Sequence, residues 1–502
     1  MKNYELNEKF VKLDKREVPL YGEYDVVVVG GGMAGVGAAV AAAKMGMKTI
    51  IIENTSALGG ISTMGIVNIC MDFVSGVGDE FFKELDAIDG LRRTNTHPEK
   101  QKLTLDRLVK KYGVEVLFVT PLVDTLMEDN AVKGIVIHTK KGDMAVMGKR
   151  FVDASGDSDL VYFAGGETMT GRDIDNMSMG CSLDFILGGV DIGKYRSSEL
   201  FKTDPQWKKL IAEKIEEGSL EPIDNHLNWM TYLPGVEEDR GNDMIGICMA
   251  HSRNCFPTEN TDLTRMYFEG REQAEYLAKW IKENIPGFEH SYLSQTGSLL
   301  GVRESRRIVG EYIFSGMDIA TAKKFDDVIA ISQHGFDLHG FEGPGNMKWF
   351  KGTLPDGEEV YVSNRAGWGS QMPPEDGLRR INMKELLDDE SMYCYDIPYR
   401  SILPVRLDNV LAAGRNISAD IPGQSGTRLV MCCMSLGEAA GTACALSIKE
   451  GVTPRELNVG KLQRTLVDNK YNIGQAFRKI PGLEEKDYSE FNVINRTSTG
   501  NG

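Results

Sequence analysis

Basic charge is scarce in this sequence: 57 Lys and Arg stand against 73 Asp and Glu, for a formal net charge of −16 over 502 residues. A polyphosphate backbone would be repelled by that balance unless a local basic patch existed, and none is visible, so nucleic acid is not an expected partner. Cysteine is also sparse. The eight cysteines show neither paired CxxC zinc spacing nor a redox CxxC, and they are too thinly spread for a disulfide scaffold or an iron–sulfur cluster, so no metal is expected. Long apolar runs are missing as well. The most apolar window, Met33 to Ile52, contains Lys44 and Lys48 and is broken by Gly35, Gly37 and Gly46, which makes a membrane span a poor reading. The first twenty residues are peppered with charge and lack the apolar segment and cleavage site of a secretory signal. The expectation is a cytoplasmic protein with no membrane partner.

What is present is ordinary globular material, 41% hydrophobic and 26% charged, in a chain long enough for two or three lobes. One stretch stands out. "DVVVVGGGMAGVGAAVAAAKMGMKTIIIE" reads as a buried strand, a glycine turn, an alanine-rich helix closed at Gly46, and a second strand. Gly30, Gly32 and Gly35 have G-x-G-x-x-G spacing, with Met33 and Ala34 opening the helix. Gly30 permits the tight turn, Gly32 lets backbone approach a pyrophosphate, and Gly35 lets helix and strand pack closely, while the helix N-terminus offers N–H groups to the anion. Glu53, followed by Asn54, ends the second strand and can accept hydrogen bonds from both ribose hydroxyls. A 2′-phosphate would be repelled there, which leaves FAD or NAD. A second glycine pair, Gly59 and Gly60, with Ser62 just beyond, and a distant "NVLAAGRNIS" segment offer backbone for a ligand long enough to need both, which favours FAD.

These residues, together with "LGGIST", "FVDASGDSDLVYFAG", "GVRESRRIVGEY", "FDLHG" and "IPYRSILPVRLDNVLAAGRNISADIPGQSGTRLVMCCMSLGEAAGTACAL", resemble the FAD-dependent oxidoreductase family, related to the flavoprotein subunits of fumarate reductase and succinate dehydrogenase. The resemblance implies an α/β fold of the two-dinucleotide-binding-domain flavoprotein type, a Rossmann-like parallel sheet with an antiparallel meander plus an inserted α+β substrate domain. It also implies flavin contacts at Ala154, Ser155, Gly156 and Asp157, at Gly414 and Arg415, and at Gly426, Thr427 and Arg428. Relatives that bind FAD covalently carry a histidine just before the glycine pair, and "ENTSALGG" has none, so noncovalent FAD is implied.

The chain divides accordingly. Residues 1–170 read as the first part of the FAD-binding domain, 171–395 as the inserted domain, 396–455 as the returning part, and 456–502 as a tail whose end, "RTSTGNG", looks frayed. A helix is expected from Pro98 to Lys111, then a meander turning at Asp129-Asn130 and Gly142-Asp143. A long amphipathic helix in "TDLTRMYFEGREQAEYLAKWIKENIPGF" reads as structural, and a last long helix starts near Arg428.

Catalytic candidates follow from residue type. Asp337 and His339, two apart, share one face if the segment is a strand, and a carboxylate beside an imidazole holds its tautomer and raises its basicity. His251 and His334 have no acidic residue at such spacing. Arg303 heads a cluster with Arg306 and Arg307 in which one guanidinium could clamp a carboxylate or an enolate-like oxygen. Tyr399 could donate a proton, and Arg400 and Arg428 sit beside flavin segments. The resulting expectation is hydride transfer between flavin N5 and a small polar organic substrate. The alternatives are a flavin monooxygenase or a non-redox synthase of the same fold, and a flavin-binding sensor or assembly subunit without turnover. A homo-oligomer stays open. No second strand-glycine-helix unit is visible, so NADPH is not expected to reduce the flavin efficiently.

Overall fold

A computed structural model describes residues 4–6, 11–13, 17–234, 243–387, 393–476, 478–480 and 483. The "RTSTGNG" end lies outside the described residues. The valine run forms strand β1 (Leu20–Val29), and α1 (Met33–Lys44) leads back to β2 (Thr49–Ile52), which pairs parallel to β1 with Val26 opposite Thr49 and Val29 opposite Ile52. Val26 to Val28 and Ile50 to Ile51 are fully buried, as an unbroken apolar run covered on both faces should be. Helices α2 (Gly76–Asp86) and α3 (Pro98–Lys111) precede β3 (Glu115–Leu117), which extends the sheet beyond β2.

The meander is β4 (Leu122–Glu128), β5 (Ala131–Thr139) and β6 (Gly142–Asp153), giving sheet order β3-β2-β1-β6-β5-β4. Its second turn falls at Lys140-Lys141, ahead of the expected Gly142-Asp143, because Gly142, at φ +100°, already opens β6. Strand β6 joins the two halves. Its first residues pair antiparallel with β5, and its last three, Phe151 to Asp153, pair parallel with β15 (Val410–Ala412), the strand on which the chain returns. Three parallel strands therefore end side by side in small-residue loops: β1 at Gly30, β6 at Ala154, β15 at Gly414. Ligands of open parallel sheets bind at this carboxyl edge.

Between β6 and β15 the chain packs around two cores. Strands β8 (Phe185–Val190), β9 (Trp229–Tyr232), β10 (Asp243–Cys248) and β12 (Tyr292–Thr296) form a four-stranded antiparallel sheet in the order β9-β10-β8-β12, and helix α4 (Asn260–Asn284) packs on it. Their core holds Tyr195, Trp207 and Phe288 edge to face. Two-residue strands β7 (Cys181–Ser182) and β11 (His251–Ser252) pair beside it. The later stretch, including β13 (Val328–Ser332) and β14 (Tyr395–Pro398), shares the core of α1 instead.

The returning chain ends in α5 (Ile421–Thr427) and α6 (Val430–Glu450). By length and composition α6 could cross a membrane, but 83% of its apolar window is buried inside the protein. It lies against α1 with no room for side chains: a Cβ on Gly437 would strike the carbonyl oxygen of Ala34, one on Gly441 that of Ala38, and one on Gly37 that of Met434. Overpacking of this kind typically costs ~1–3 kcal/mol or more, since backbone must move. Gly441→Ala is expected to lower the thermal midpoint by several degrees and to weaken retention of any cofactor bound at the two helix ends. An unchanged midpoint would show that the helices can separate freely.

Glu438 on α6 is buried beside the start of α2 and accepts a hydrogen bond from Val77 N at 2.7 Å. Burial pushes its carboxyl up to about 8, against that bond. In the unfolded chain it ionises near its ordinary value, so from about pH 5 to pH 8 only the folded state keeps the proton, and stability falls as pH rises. Denaturant titrations at pH 5 and pH 8.5 should show Glu438→Gln losing less stability over that interval than the natural protein does.

Candidate active site

The glycine turn after β1 has the geometry of a phosphate cradle. Gly30 takes φ +100°, and a Cβ there would strike Ala154 O, while one on Gly35 would strike Gly30 O. Gly32 differs: a Cβ there meets nothing within 4 Å, although the residue is the N-cap of α1 and has no side-chain cap. The first turn of α1 thus begins beside open space with no side-chain cap, a ready anion site. The second glycine pair lies directly on this turn, since Gly59 N donates to Gly31 O at 2.9 Å and a Cβ on Gly60 would come within 3.2 Å of Gly32 Cα. Ser62, buried beneath it, bonds to Gly59 O at 3.0 Å and Gln101 at 3.1 Å.

Glu53 is buried at the end of β2, and its two carboxylate oxygens accept from Gly31 N at 2.5 Å and Thr55 N at 2.6 Å. About four acceptor sites exist on a carboxylate, so two remain for hydroxyl donors. Asn54 beside it is exposed.

Asp157 ties the other loops of this edge together. It accepts from Arg415 Nη2 at 2.5 Å and from Ser305 Oγ, and the Arg415 guanidinium covers Gly156 closely enough that a Cβ would meet Nη1 at 2.6 Å. Ser155 Oγ donates to Asp153 at 2.7 Å. Gly414, at φ +107°, comes within 3.2 Å of the Ala34 methyl in the same sense, bringing the β15 loop onto the start of α1. Helix α6 begins without a side-chain cap, just after Arg428. Gly426 O accepts from Tyr395 OH at 2.9 Å, and Thr427 Oγ1 donates to Gln424 O at 3.2 Å. Four buried atoms here have no hydrogen-bond partner among the described residues: Arg415 Nε, Asn416 Oδ1, Gln424 Oε1 and Arg428 Nε. Native interiors leave few such groups, so the loops fit an additional polar group held at the N-terminal ends of α1 and α6.

A family profile described as FAD dependent oxidoreductase matches residues 25–466. The chain belongs to that family. FAD is the group the glycine turn, the sheet edge and the uncapped α6 terminus are suited to hold. The tRNA uridine 5-carboxymethylaminomethyl modification enzyme MnmG of Alkaliphilus metalliredigens (strain QYMF) is 33% identical over 144 residues, 24% of this chain and 22% of that protein. The same enzyme of Dichelobacter nodosus (strain VCS1703A) is 33% identical over 115 residues, 22% of this chain and 17% of that protein. The chain thus spans about a fifth of the length of these curated relatives. Among solved structures, a geranylgeranyl bacteriochlorophyll reductase-like protein from Thermoplasma acidophilum is 14% identical with a TM-score of 0.39, covering 89% of this chain and 84% of that one. The myxobacterial chondrochloren halogenase CndH is 13% identical with a TM-score of 0.41, covering 95% and 87%. At these levels neither speaks to activity.

Beyond these loops of the FAD-dependent oxidoreductase lies a polar cluster built on two buried residues, His339 and Arg303. Residues 333–338 are not strand, and His339 makes only an isolated bridge to Asn346, so the expected strand is absent. The extended backbone still brings the pair together, with His339 Nε2 3.2 Å from Asp337 Oδ2. Arg428 Nη2 donates to that same oxygen at 3.0 Å and to Asp337 O at 2.9 Å. Burial would raise the Asp337 carboxyl, but His339 and Arg428 overcome it and hold it well below the usual range. Burial, then Arg303, push the His339 imidazole down to about 3, so it is neutral at physiological pH. Asp337 accepts from Nε2–H, which leaves the Nδ1 lone pair to receive a proton.

Arg303 joins this cluster, and its neighbours in sequence do not. Its Nη1 donates to Gly180 O at 2.5 Å and its Nη2 to His251 Nε2 at 3.2 Å. Arg306 lies over the Tyr162 ring at 4.2 Å and bonds to Asp157 O, and Arg307 pairs with buried Glu304 at 2.5 Å. His251, read from sequence as partnerless, has one: its Nδ1 stands 2.7 Å from Asp224 Oδ2, and its ring lies 6.2 Å from that of His339. Burial pushes it down to about 4.

Two candidates are corrected. Tyr399 is fully buried elsewhere and donates to Pro454 O at 2.9 Å, and burial pushes its phenol well above the ordinary value. Arg400 is half exposed and pairs with Asp327 at 2.9 Å. In the short 3₁₀ turn Tyr399–Ile402, adjacent side chains diverge, and neither reaches the cluster. Asp224 and Arg253 were not legible as site residues, since no spacing links Asp224 to a histidine 27 positions away.

Gly32→Val and Gly35→Val are expected to part company. The first should fold with an unchanged midpoint yet purify colourless, and the second should unfold, since its side chain strikes backbone. The natural protein should be yellow and release FAD, not FMN, on denaturation. A yellow Gly32→Val protein would show that the turn does not hold the pyrophosphate.

Proposed function

We propose that this protein uses noncovalently bound FAD to move a hydride between the flavin and a small polar organic substrate held by Arg303, Arg428 and His339. FAD, when bound, supplies hydride exchange at its N5 position. The chain's residues would supply the rest, with the segment 171–395 as the substrate domain. Arg428 keeps Asp337 anionic, and Asp337 fixes the His339 tautomer so that Nδ1 can take the proton released from a substrate hydroxyl, or return it in the reverse direction. Arg303, positioned by His251 and Gly180, polarises the oxygen at which charge develops.

The observation that carries this reading is the sharing of Asp337 by His339 and Arg428 two residues ahead of α6, which ties a proton acceptor and a cation to the helix end suited to the flavin. General acid–base help is worth about 10²–10⁴-fold. Hydroxy acids and sugars, screened anaerobically against the oxidised protein, should include one that bleaches the flavin spectrum without an added partner protein, or ketoacids, screened against the reduced protein, one that restores it. With that compound His339→Ala should reduce the flavin about 10²-fold or more slowly at unchanged FAD content, whereas Arg400→Lys should keep the natural rate. Equal rates in His339→Ala would sink the reading; rapid reduction by low concentrations of NADPH would overturn only the expectation that NADPH is a poor reductant.

A further inference from the structure

Arg253 is an unusual residue for a protein interior. All three of its guanidinium nitrogens are buried without a hydrogen-bond partner among the described residues, and the side chain is only 12% exposed. The nearest carboxylate, Asp224, stands 3.8 Å away and is already engaged. Its Oδ1 accepts from Asn225 N at 2.8 Å and Gly345 N at 2.9 Å, and its Oδ2 accepts from Asn228 Nδ2 at 3.2 Å and faces His251 Nδ1 at 2.7 Å. Three hydrogen bonds and the His251 ring thus crowd the carboxylate, and neither of its oxygens accepts from Arg253. A guanidinium does not escape by losing its proton, so Arg253 remains a buried cation with its donors unmet.

A second cation adjoins it. A Cβ on Gly180 would strike Arg253 Nη1, and the carbonyl of the same Gly180 accepts from Arg303 Nη1 at 2.5 Å. No carboxylate among the described residues lies within ion-pair distance of Arg303. Gly180 N donates to Gly340 O at 3.1 Å, which places both guanidinium groups beside the backbone that carries His339. Asp337 does not neutralise them, being paired with Arg428 at 3.0 Å. Asp224 supplies one negative charge beside two cations held together out of water, so one positive charge is left for a further anion to answer, and a planar fork of N–H donors matches a carboxylate better than it matches water or a point acceptor.

We propose that Arg253, with the positive charge of Arg303 beside it, binds a carboxylate group of the substrate, so that the substrate is an organic acid whose reacting carbon and oxygen lie toward Arg303 and His339. This rests on the hydride-transfer reading for the reacting end and adds the chemical class of the bound end. It also gives Asp224 and His251 a role as positioning residues: they hold Arg303 in place and do not touch substrate.

The test is calorimetric titration of the FAD-loaded protein with sodium propanoate, which has no hydroxyl to oxidise, and with propanamide, its uncharged counterpart of the same shape, at constant ionic strength. Propanoate should bind saturably and propanamide at least about tenfold more weakly. Arg253→Gln should weaken propanoate roughly tenfold or more at unchanged FAD content, and Arg253→Lys, which keeps charge but loses the fork, should fall between. The proposal is overturned if propanoate does not bind the natural protein, if propanamide binds as tightly, or if Arg253→Gln binds propanoate with natural affinity. Should Arg253→Gln fail to fold, the propanoate–propanamide comparison and Arg253→Lys still decide. No hydride moves in this titration, so propanoate binding in a protein that no compound reduces would support the carboxylate site and defeat only the hydride reading. Conversely, flavin reduction by a neutral compound at a rate indifferent to Arg253→Gln would defeat the carboxylate site alone.

Discussion

The contact between α1 and α6 is the constraint from which the rest of the architecture follows. Glycine inside a helix costs roughly 0.5–1 kcal/mol relative to alanine, yet Gly37, Gly437 and Gly441 all sit there, because a Cβ on any of them would strike the opposite helix backbone. The contacts also fix direction. Gly437 meets Ala34 and Gly441 meets Ala38, so the two helices run parallel and offer their positive ends to the same side. Helix α6 has six more residues ahead of its contact than α1 does, so its N-terminus reaches about 9 Å further. Two uncapped helix ends, staggered along one direction beside the carboxyl edge of a parallel sheet, are what an extended dinucleotide requires.

Charge is organised on the far side of that edge with the same economy of contact. Asp157 is bound to Arg415, Glu304 to Arg307, Asp337 to Arg428, and Asp224 faces His251. Each of these carboxylates has a basic partner, which offsets the cost of taking it out of water. The groups left over are therefore informative. Among the unmatched buried atoms of the described residues, those on Arg415, Asn416, Gln424 and Arg428 fall in the loops ahead of α6 and those on Arg253 in the cluster behind them, where unmet polarity suits a ligand.

The low basicity of both histidines belongs to this arrangement. His251 and His339 are surrounded by three guanidinium groups in a dry interior, so each stays neutral. For His251 the consequence is a fixed tautomer that supports Arg303. For His339 it is an imidazole free to accept a proton once the local positive charge is answered.

The sequence by itself determined the glycine turn, the strand-helix-strand unit around it, the acidic residue closing β2, and the existence of α3, α4 and α6, because each depends on local spacing, on a residue's own conformational freedom, or on an unbroken apolar run. It also placed Asp337 beside His339, since two residues of extended chain carry a side chain back to the same face whether or not a strand forms. Tertiary structure alone decided which of the distant cations share a space. Arg303 and Arg428 come together over 124 intervening positions, Asp224 finds His251 through the pairing of short strands, and Tyr399 and Arg400 turn away although they lie in a segment that resembles a flavin contact. Nothing in a one-dimensional pattern records which way a side chain leaves a 3₁₀ turn, or that a buried arginine lacks an acceptor, because both are properties of what the rest of the chain places around it.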